Sequence, residues 1–481
     1  MMLNALQQPN PPTVSLALKD IMPEGTVSQT CPPWAIGLAA LLLIWPALWN
    51  GYPLVFADTG TYLGQALIGY AGWDRPPFYS LFIHGLHWRL SLWPVVIGQG
   101  LIMAHLLHLV LRVQRQPGPV PLVVTSAALA MLSGLPFVTT QIMPDLFTGV
   151  VVLCIWLLAF QWGALSRRER IYLLLLSSLA VVVHQSHVPL AIGLAGLATL
   201  LIGLRRGPVP ALRGLGRMLA PTALAVMALI AINGVAHRAL SISPFGSVFL
   251  ATRLIFDDTG RAYLDRHCPD IGYRICAVRD QIGTGTEHNL FLWTLTGPLY
   301  TELGGPKAWA PEAKAIVRGV LAENPGGVLL DAMRNTLHQL VTMASGDGLE
   351  PWRSQPGPEP IIARYFPSEH EAYLASRQQM GELYAFVHGL TPLHLAIFCL
   401  GLVAIGLRRR WSLSELGLVA LLLAALIGNA AITGGLSGPA DRYQARLLWL
   451  SLFVAMIVLL PRLRAATGQG GSKLAGAGGT G

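Results

Sequence analysis

Of the 481 residues, 53% are hydrophobic and only 12% are charged, whereas about a quarter of the residues of a soluble domain carry charge. This composition excludes an ordinary soluble protein and predicts an integral membrane protein in a lipid bilayer. The net charge of +9 indicates no nucleic-acid partner, because the arginines fall in loops between apolar segments, where they set orientation in a membrane.

Nearly uncharged segments of about 20 residues recur along the chain, each long enough to cross a hydrocarbon layer about 30 Å thick as a helix. They predict an all-α polytopic membrane protein with about ten transmembrane helices and a mainly helical extracytoplasmic domain. The predicted spans are 33–50, 93–111, 119–138, 146–163, 171–184, 188–204, 218–236, 391–407, 412–433 and 446–461. The fifth and sixth form one run broken at "HQSHVP", so a re-entrant pair is an alternative.

Arginines are far more frequent in one set of alternating loops than in the other. One set holds 14 arginines, and the other holds only Arg75, Arg89, Arg442 and Arg446. The positive-inside rule therefore predicts that both termini are cytoplasmic and that the loop after the first span faces outward. We expect a multi-pass protein of the inner (plasma) membrane with an extracytoplasmic active site.

The distribution of charge divides the chain into five parts. We expect a cytoplasmic tail at 1–32, a transmembrane module at 33–237 whose first outer loop (51–92) is catalytic, a soluble extracytoplasmic domain at 238–390, three further spans within 391–464 and a disordered cytoplasmic tail at 465–481. No basic cluster precedes the first span and no small-residue cleavage site follows it. We therefore expect a retained helix and not a signal peptide.

Helical periodicity runs through the predicted outer domain. Two apolar-striped runs begin at Pro311 and Pro325, and proline is favoured at the start of a helix, where its missing N–H costs least. Cys268 and Cys276 also lie in this segment. Their spacing suits a local disulfide in an oxidising compartment, and two buried thiols are the alternative.

Ionisable residues at membrane depth are costly, so those beside the spans are candidates for function. Here they gather on the predicted outer face. Outer loops supply Asp58, Asp74, Arg75, His84 and His87, then Asp145, then His184 and His187, and finally Asp441, Arg442, Tyr443 and Arg446 in "DRYQAR". The inner loops offer little besides arginine.

Asp58 follows the first span closely and precedes the run "TGTYLGQALIGY", which predicts a short helix along the membrane surface. A carboxylate at this depth can take a proton from an acceptor hydroxyl, an effect worth about 10² to 10⁴ in rate. The alternative is that Asp58 only caps the short helix.

The neighbours of Asp58 have simpler explanations too. Arg75 would pair with Asp74, and the loop histidines would be polar tips on an interfacial face. His84 and His187 would also suit a metal site with Asp58 or Asp145, and hydrogen-bonded histidines are the alternative. No cofactor is assigned, and a divalent metal is left open.

Arg442 and Arg446 stand four residues apart and so share one helical face, on the side that the positive-inside rule leaves poor in arginine. The planar guanidinium suits phosphate oxygens, and a helix start adds N–H donors for the same anion. The alternative is a pair of anchors for phospholipid headgroups.

Three motifs together resemble the GT-C class of polytopic glycosyltransferases, which includes protein O-mannosyltransferases and aminoarabinose lipid A transferases. They are "FADTGTYL" with Asp58, "DRPPFYSLFIHGLHW" before the second span, and "MPD" with Asp145. The resemblance covers mainly the first 200 residues. It implies that Asp58 is the catalytic base, that Asp145 loosely matches a second acidic position, and that the donor is a sugar on a polyprenyl phosphate.

We therefore expect an inverting glycosyltransferase that moves a sugar from a polyprenyl-phosphate-linked donor to a lipid, glycan or protein acceptor. Arg442 and Arg446, with Tyr443 between them, would hold the departing phosphate, and sugar hydroxyls would be oriented by Asp74, Arg75, His84 and His187. A transporter or flippase of a lipid-linked anion is the alternative. Transporters usually show related halves and charges near the midplane, and this sequence shows neither.

Overall fold

The computed structural model describes residues 31–283, 288–353 and 357–474, with side chains as far as 459. Residues 1–30 of the predicted N-terminal tail and 475–481 of the predicted C-terminal tail lie outside the described residues.

Within these ranges the chain is all-helical, and the only strand-like contact is an isolated bridge between Leu54 and Gln141. The helices are α1 (Pro33–Leu43), α2 (Trp45–Asn50), α3 (Ala57–Gly64), α4 (Phe78–His87), α5 (Trp93–Val113), α6 (Pro119–Leu132), α7 (Leu135–Thr140), α8 (Leu146–Phe160), α9 (Arg167–Val182), α10 (His187–Arg206), α11 (Pro208–His237), α12 (Gly246–Phe256), α13 (Asp258–His267), α14 (His288–Trp293), α15 (Pro298–Thr301), α16 (Gly305–Glu323), α17 (Pro325–Val341), α18 (Glu359–Tyr365), α19 (Pro367–Leu374), α20 (Glu382–Gly389), α21 (Thr391–Gly406), α22 (Leu413–Leu436) and α23 (Asp441–Leu474). Because α23 continues to Leu474, residues 465–474 of the predicted disordered tail are helical.

Six helices of the described chain are long and apolar enough to cross a membrane, which supports a membrane protein. They are α5, α10, α11, the pair α20–α21, α22 and α23 up to Leu459. The other predicted spans fall on shorter helices, so the expectation of about ten spans is not confirmed. Predicted span 33–50 is divided at Ile44, two residues before Pro46, because proline removes a helix N–H. Predicted span 119–138 is divided at Ser133, whose extended backbone interrupts the helical hydrogen bonds.

The membrane helices enclose one large apolar core that extends from α1 to α23. α8 lies within it, and all of its 15 residues except Ala159 are buried, as expected of a helix that is apolar on every side. Asp145 immediately precedes α8 and is only 5% exposed. Because α8 is buried, the Asp145 carboxylate that precedes it is buried as well.

The segment after α11 has its own apolar core, built around Trp309 by α12, α13, α14 and α16. A disulfide joins Cys268 and Cys276, which is the first of the two alternatives. α17 begins at Pro325 as expected. α16 does not begin at Pro311 but at Gly305, because Pro306 already occupies its first turn, and Pro311 lies inside the helix.

Hydrogen bonds to backbone groups hold the loop after α2 in place. Gln378 accepts from Val55 N at 3.1 Å and donates to Val55 O at 2.8 Å. Leu54 donates to Thr140 O at 3.2 Å and accepts from Ile142 N at 2.8 Å. The loop after α2 is thereby fixed beside the loop that leads into α8.

Gly348 provides a test of this packing. It adopts a φ of +80°, and a Cβ there would overlap the ring of Phe56. We expect Gly348→Ala to cost about 1–3 kcal/mol through backbone strain and displacement of that ring, read as a lower melting temperature in detergent. Gly196→Ala, where a Cβ meets nothing within 4 Å, should not lower it, and equal melting temperatures for the two variants would contradict this account.

Candidate functional site

Asp58 and two arginines from distant parts of the chain form the centre of the candidate site. Asp58 Oδ1 accepts from Arg75 Nη2 at 2.5 Å, and Oδ2 accepts from Arg442 Nη1 at 3.3 Å. Arg75 also pairs with Asp74, which confirms the ion pair predicted from the sequence. The side chains of Asp58, Arg75 and Arg442 are 14%, 13% and 18% exposed, so solvent ions screen these pairs only weakly.

α3 and the π-helical turn Gln65–Gly69 form the predicted short helix, but Asp58 does not cap it. Phe56 N donates instead to Thr59 Oγ1 at 2.9 Å, and that hydroxyl donates to Ile142 O at 3.1 Å. Thr59 thus closes the helix start and ties it to the loop before α8. The carboxylate of Asp58 is left to the arginines.

Arg442 stands in the first turn of α23. Its backbone N–H donates to Asp347 Oδ2 at 3.0 Å, which anchors the helix start. Its guanidinium carbon lies 4.3 Å from the centroid of the Phe56 ring and 5.0 Å from that of Tyr443, distances at which a cation is attracted to an aromatic face. The aromatic rings hold Arg442 in reach of Asp58.

Arg446 follows one turn later and is 1% exposed. It donates to Asp145 Oδ1 at 3.0 Å and to Asn429 Oδ1 at 2.7 Å, while its Nε has no partner in the described structure. The Tyr443 ring lies 5.4 Å from the Arg446 guanidinium, so one ring contacts both arginines of "DRYQAR". Asp58 and Asp145 are linked through this pair.

A pocket opens beside the two arginines between α7, α23 and the segment before α20. Its polar lining is Gln141, Asp145, Ser345, Asp347, His394, Arg442 and Arg446, and its apolar lining includes Phe137, Val138, Leu349, Val387 and Leu448. The Nε2 of Gln141 has no partner. Asp58 does not line this pocket and reaches it only through Arg442.

A second pocket of about 210 Å³ shares Asp347 and Ser345 with the first. Its remaining lining includes Asp441, Glu350 and His388, so both pockets contain carboxylates but only the first contains arginines. Burial raises the pKa of the Glu350 carboxyl, and the negative charge of Asp347 adds to the effect.

The predicted histidines are divided between two places. His187 is fully buried, and its ring nitrogens bond Ala180 O at 2.6 Å and Thr148 Oγ1 at 2.8 Å. The Ala180 carbonyl only accepts, so Nδ1 donates and Nε2 accepts from the threonine. His84 instead packs on His87 at 5.0 Å between ring centroids. No described contact joins it to the acid–arginine cluster, which consists of Asp58, Arg75, Asp145, Arg442 and Arg446.

His184 lies between α9 and α10, and its ring is 5.1 Å from that of His187 between centroids. Its Nδ1 lies 2.7 Å from Ser186 Oγ. The break between the fifth and sixth predicted spans thus brings the two histidine rings together.

Three residues of the site escaped sequence reasoning. They are Asn429, which also donates to Tyr443 O at 2.6 Å, Asp347 and Phe56. Asn429 had a usable signal, since it is an amide inside the apolar α22. Asp347 and Phe56 had none, because their contacts join segments far apart in the chain.

Among the described residues, no three His, Cys, Asp or Glu side chains are arranged to hold a metal ion. His187 uses both nitrogens elsewhere and His84 lies apart, so the proposed histidine–aspartate metal site is not formed. Comparison of the chain with protein-family models, curated proteins and solved structures gave no match.

The buried pair of Arg446 and Asp145 predicts a large stability effect. Asp145→Asn leaves the Arg446 charge buried without a counter-charge, and we expect a loss of about 3–5 kcal/mol, seen as lower melting temperature and folded yield. The double variant Asp145→Leu/Arg446→Met removes both charges and should be more stable than the single variant.

Asp258→Asn serves as the control, because that side chain is 89% exposed in its pair with Arg334 and exposed pairs contribute little. If Asp145→Asn lowered the melting temperature no more than this control, the Arg446–Asp145 pair would not be the stabilising contact proposed here. The same would follow if the double variant melted as low as Asp145→Asn.

Proposed function

We propose that the chain is a membrane glycosyltransferase of the GT-C type, which transfers a sugar from a polyprenyl-phosphate-linked donor to an acceptor outside the cytoplasm. One observation carries the proposal: Asp58, in the first turn of α3, contacts Arg442, in the first turn of α23. An acid able to take a proton and a cation able to hold a phosphate are therefore neighbours.

The pocket beside Arg442 suits an amphiphilic donor. Arg442, Arg446 and the unpaired Nε2 of Gln141 supply hydrogen-bond donors, and Phe137 and Leu448 supply apolar surface. Phosphate oxygens are strong acceptors for guanidinium donors, and an isoprenoid chain needs apolar walls. This combination supports a lipid-linked phosphate over a free sugar nucleotide.

Arg442 links donor binding to the release of the base. Its guanidinium bonds Asp58 Oδ2, while Arg75 bonds Oδ1. A donor phosphate in the pocket would compete for the Arg442 guanidinium. Once Arg442 turns to the phosphate, Oδ2 of Asp58 is free to accept a proton.

The reaction is a single displacement with inversion. The acceptor hydroxyl oxygen forms a bond to the anomeric carbon, and the bond from that carbon to the phosphate oxygen breaks. The hydroxyl proton goes to Asp58, and the bonding electrons stay on the polyprenyl phosphate, whose growing charge Arg442 and Arg446 stabilise. Asp74 and Arg75, which pair next to Asp58, would orient sugar hydroxyls, whereas His187 is bonded to Thr148 and Ala180 and is given no part in holding the sugar.

Asp58→Asn tests the base. We expect transfer to fall by about 10² to 10⁴, because an amide cannot accept the proton. The measurement is mass spectrometry of lipid, glycan and protein extracts from cells that carry wild type or variant as the sole copy: the mass of one glycosyl unit should disappear. Asp280→Asn, at a side chain 93% exposed, should keep it, and an unchanged extract from Asp58→Asn at normal protein level would count against the enzyme.

Arg442 tests the phosphate site, with undecaprenyl phosphate as the probe for the purified protein in detergent. Arg442→Gln should weaken binding about 10- to 100-fold, as expected when a hydrogen bond to a charged group worth about 1.5–3 kcal/mol is lost. Arg442→Lys should be intermediate, since it keeps charge but not the planar fork. Asp58→Asn should bind no more weakly than wild type, because it removes the competitor for Arg442.

Equal binding by all of these variants would exclude the phosphate site. A transporter would bind the probe but would not release polyprenyl phosphate from a lipid-linked sugar in detergent solution, so this reaction separates the two functions.

A further inference from the structure

α17 has its polarity reversed relative to a helix on the surface of a soluble domain. Its buried stripe is polar and consists of Asp331, Asn335 and Gln339, one turn apart. Its exposed stripe is apolar and consists of Leu329, Leu330, Met333, Leu337 and Val341, each between 55% and 71% exposed. Water does not favour such an arrangement, because it leaves the apolar face solvated.

We infer that α17 lies in the bilayer beside α22, with this apolar stripe against lipid. The inference is independent of the proposed function. It also changes the prediction for 238–390, which was read as a wholly soluble domain.

The packing partner of α17 is a membrane-spanning helix. A Cβ on Gly434 of α22 would lie 2.6 Å from the Asn335 carbonyl oxygen, and one on Gly435 would lie 3.6 Å from Ala332 Cβ. Small residues at such crossings let helix backbones approach closely within membranes. On α22, Ile427 is 58% exposed, so the span beside α17 presents apolar surface as well.

The polar stripe of α17 is satisfied inside the protein, as membrane burial requires. Gln339 donates to Ala440 O and accepts from Ala440 N, each at 2.9 Å. Asn335 Nδ2 donates to Asp257 at 3.0 Å, and Asp331 accepts from Thr259 N at 3.2 Å. The apolar stripe, in contrast, is left largely exposed by the described residues.

α17 carries two formally charged side chains: Asp331 is in the buried polar stripe, and Arg334 is exposed beside the apolar stripe. Arg334 is the one arginine of the helix, and it pairs with Asp258 at 3.0 Å. A long cationic side chain can lie along apolar surface while its charged end reaches the interface. The charge pattern therefore favours lipid over a protein partner of opposite charge.

Site-directed spin labelling of the full chain in liposomes tests the inference. Labels at Met333→Cys and Leu337→Cys, in a Cys399→Ala background because Cys399 is an exposed free cysteine, should be reached several-fold more by oxygen, which concentrates in lipid, than by a water-soluble nickel chelate. The control is Lys314→Cys on α16, an exposed position of the same segment, where the chelate should have the greater access.

Two outcomes would overturn the inference. Chelate access at 333 and 337 equal to that at 314 would place α17 in water. Labels shielded from both oxygen and chelate would mean that another protein, or a second copy of this chain, covers the stripe.

Discussion

The site depends on pairing three largely buried arginines, Arg75, Arg442 and Arg446, with carboxylates from other segments of the chain. A buried guanidinium without a counter-charge is costly, so Arg446 requires Asp145, and Arg75 and Arg442 require Asp58. These pairs join the loop after α2, the start of α8 and the start of α23. Charge compensation therefore requires these three segments to meet.

Backbone contacts make that meeting rigid. The side chain of Gln378 pairs with Val55 as a neighbouring strand would, and Thr59 ties α3 to Ile142. Gly60 permits a similar closeness, because a Cβ there would lie 2.7 Å from the carbonyl oxygen of Gly357. The segment that contains Gly357 and Gln378 thus covers the loop after α2, and Asp58 is positioned by residues from a distant part of the chain.

Local sequence signals were sufficient for the helices and for the choice of candidate side chains, because apolar length and costly charge are properties of short windows. Asp58, Arg75, Arg442, Arg446 and Asp145 do come together.

The number of spans was not predictable from apolar length, since Pro46 and Ser133 divide segments that read as continuous. Pairings such as Arg446 with Asn429 were not predictable either, because they depend on how α22 and α23 pack. The proposed contact of α17 with lipid was not predicted for another reason: an apolar stripe has the same sequence pattern whether it faces a protein core or lipid.

α17 gives the bilayer a mechanical connection to the site. Gln339 holds both backbone groups of Ala440, and the next two residues are Asp441, which accepts from Ala344 N at 2.6 Å, and Arg442. A helix seated in lipid on one face and bonded to the start of α23 on the other fixes the depth of Arg442 relative to the membrane. A phosphate attached to a lipid also has a fixed depth, set by its hydrocarbon tail. The bilayer then sets the depth of both Arg442 and the phosphate of the proposed donor. Because their depths already match, little orientational entropy is lost when they bind.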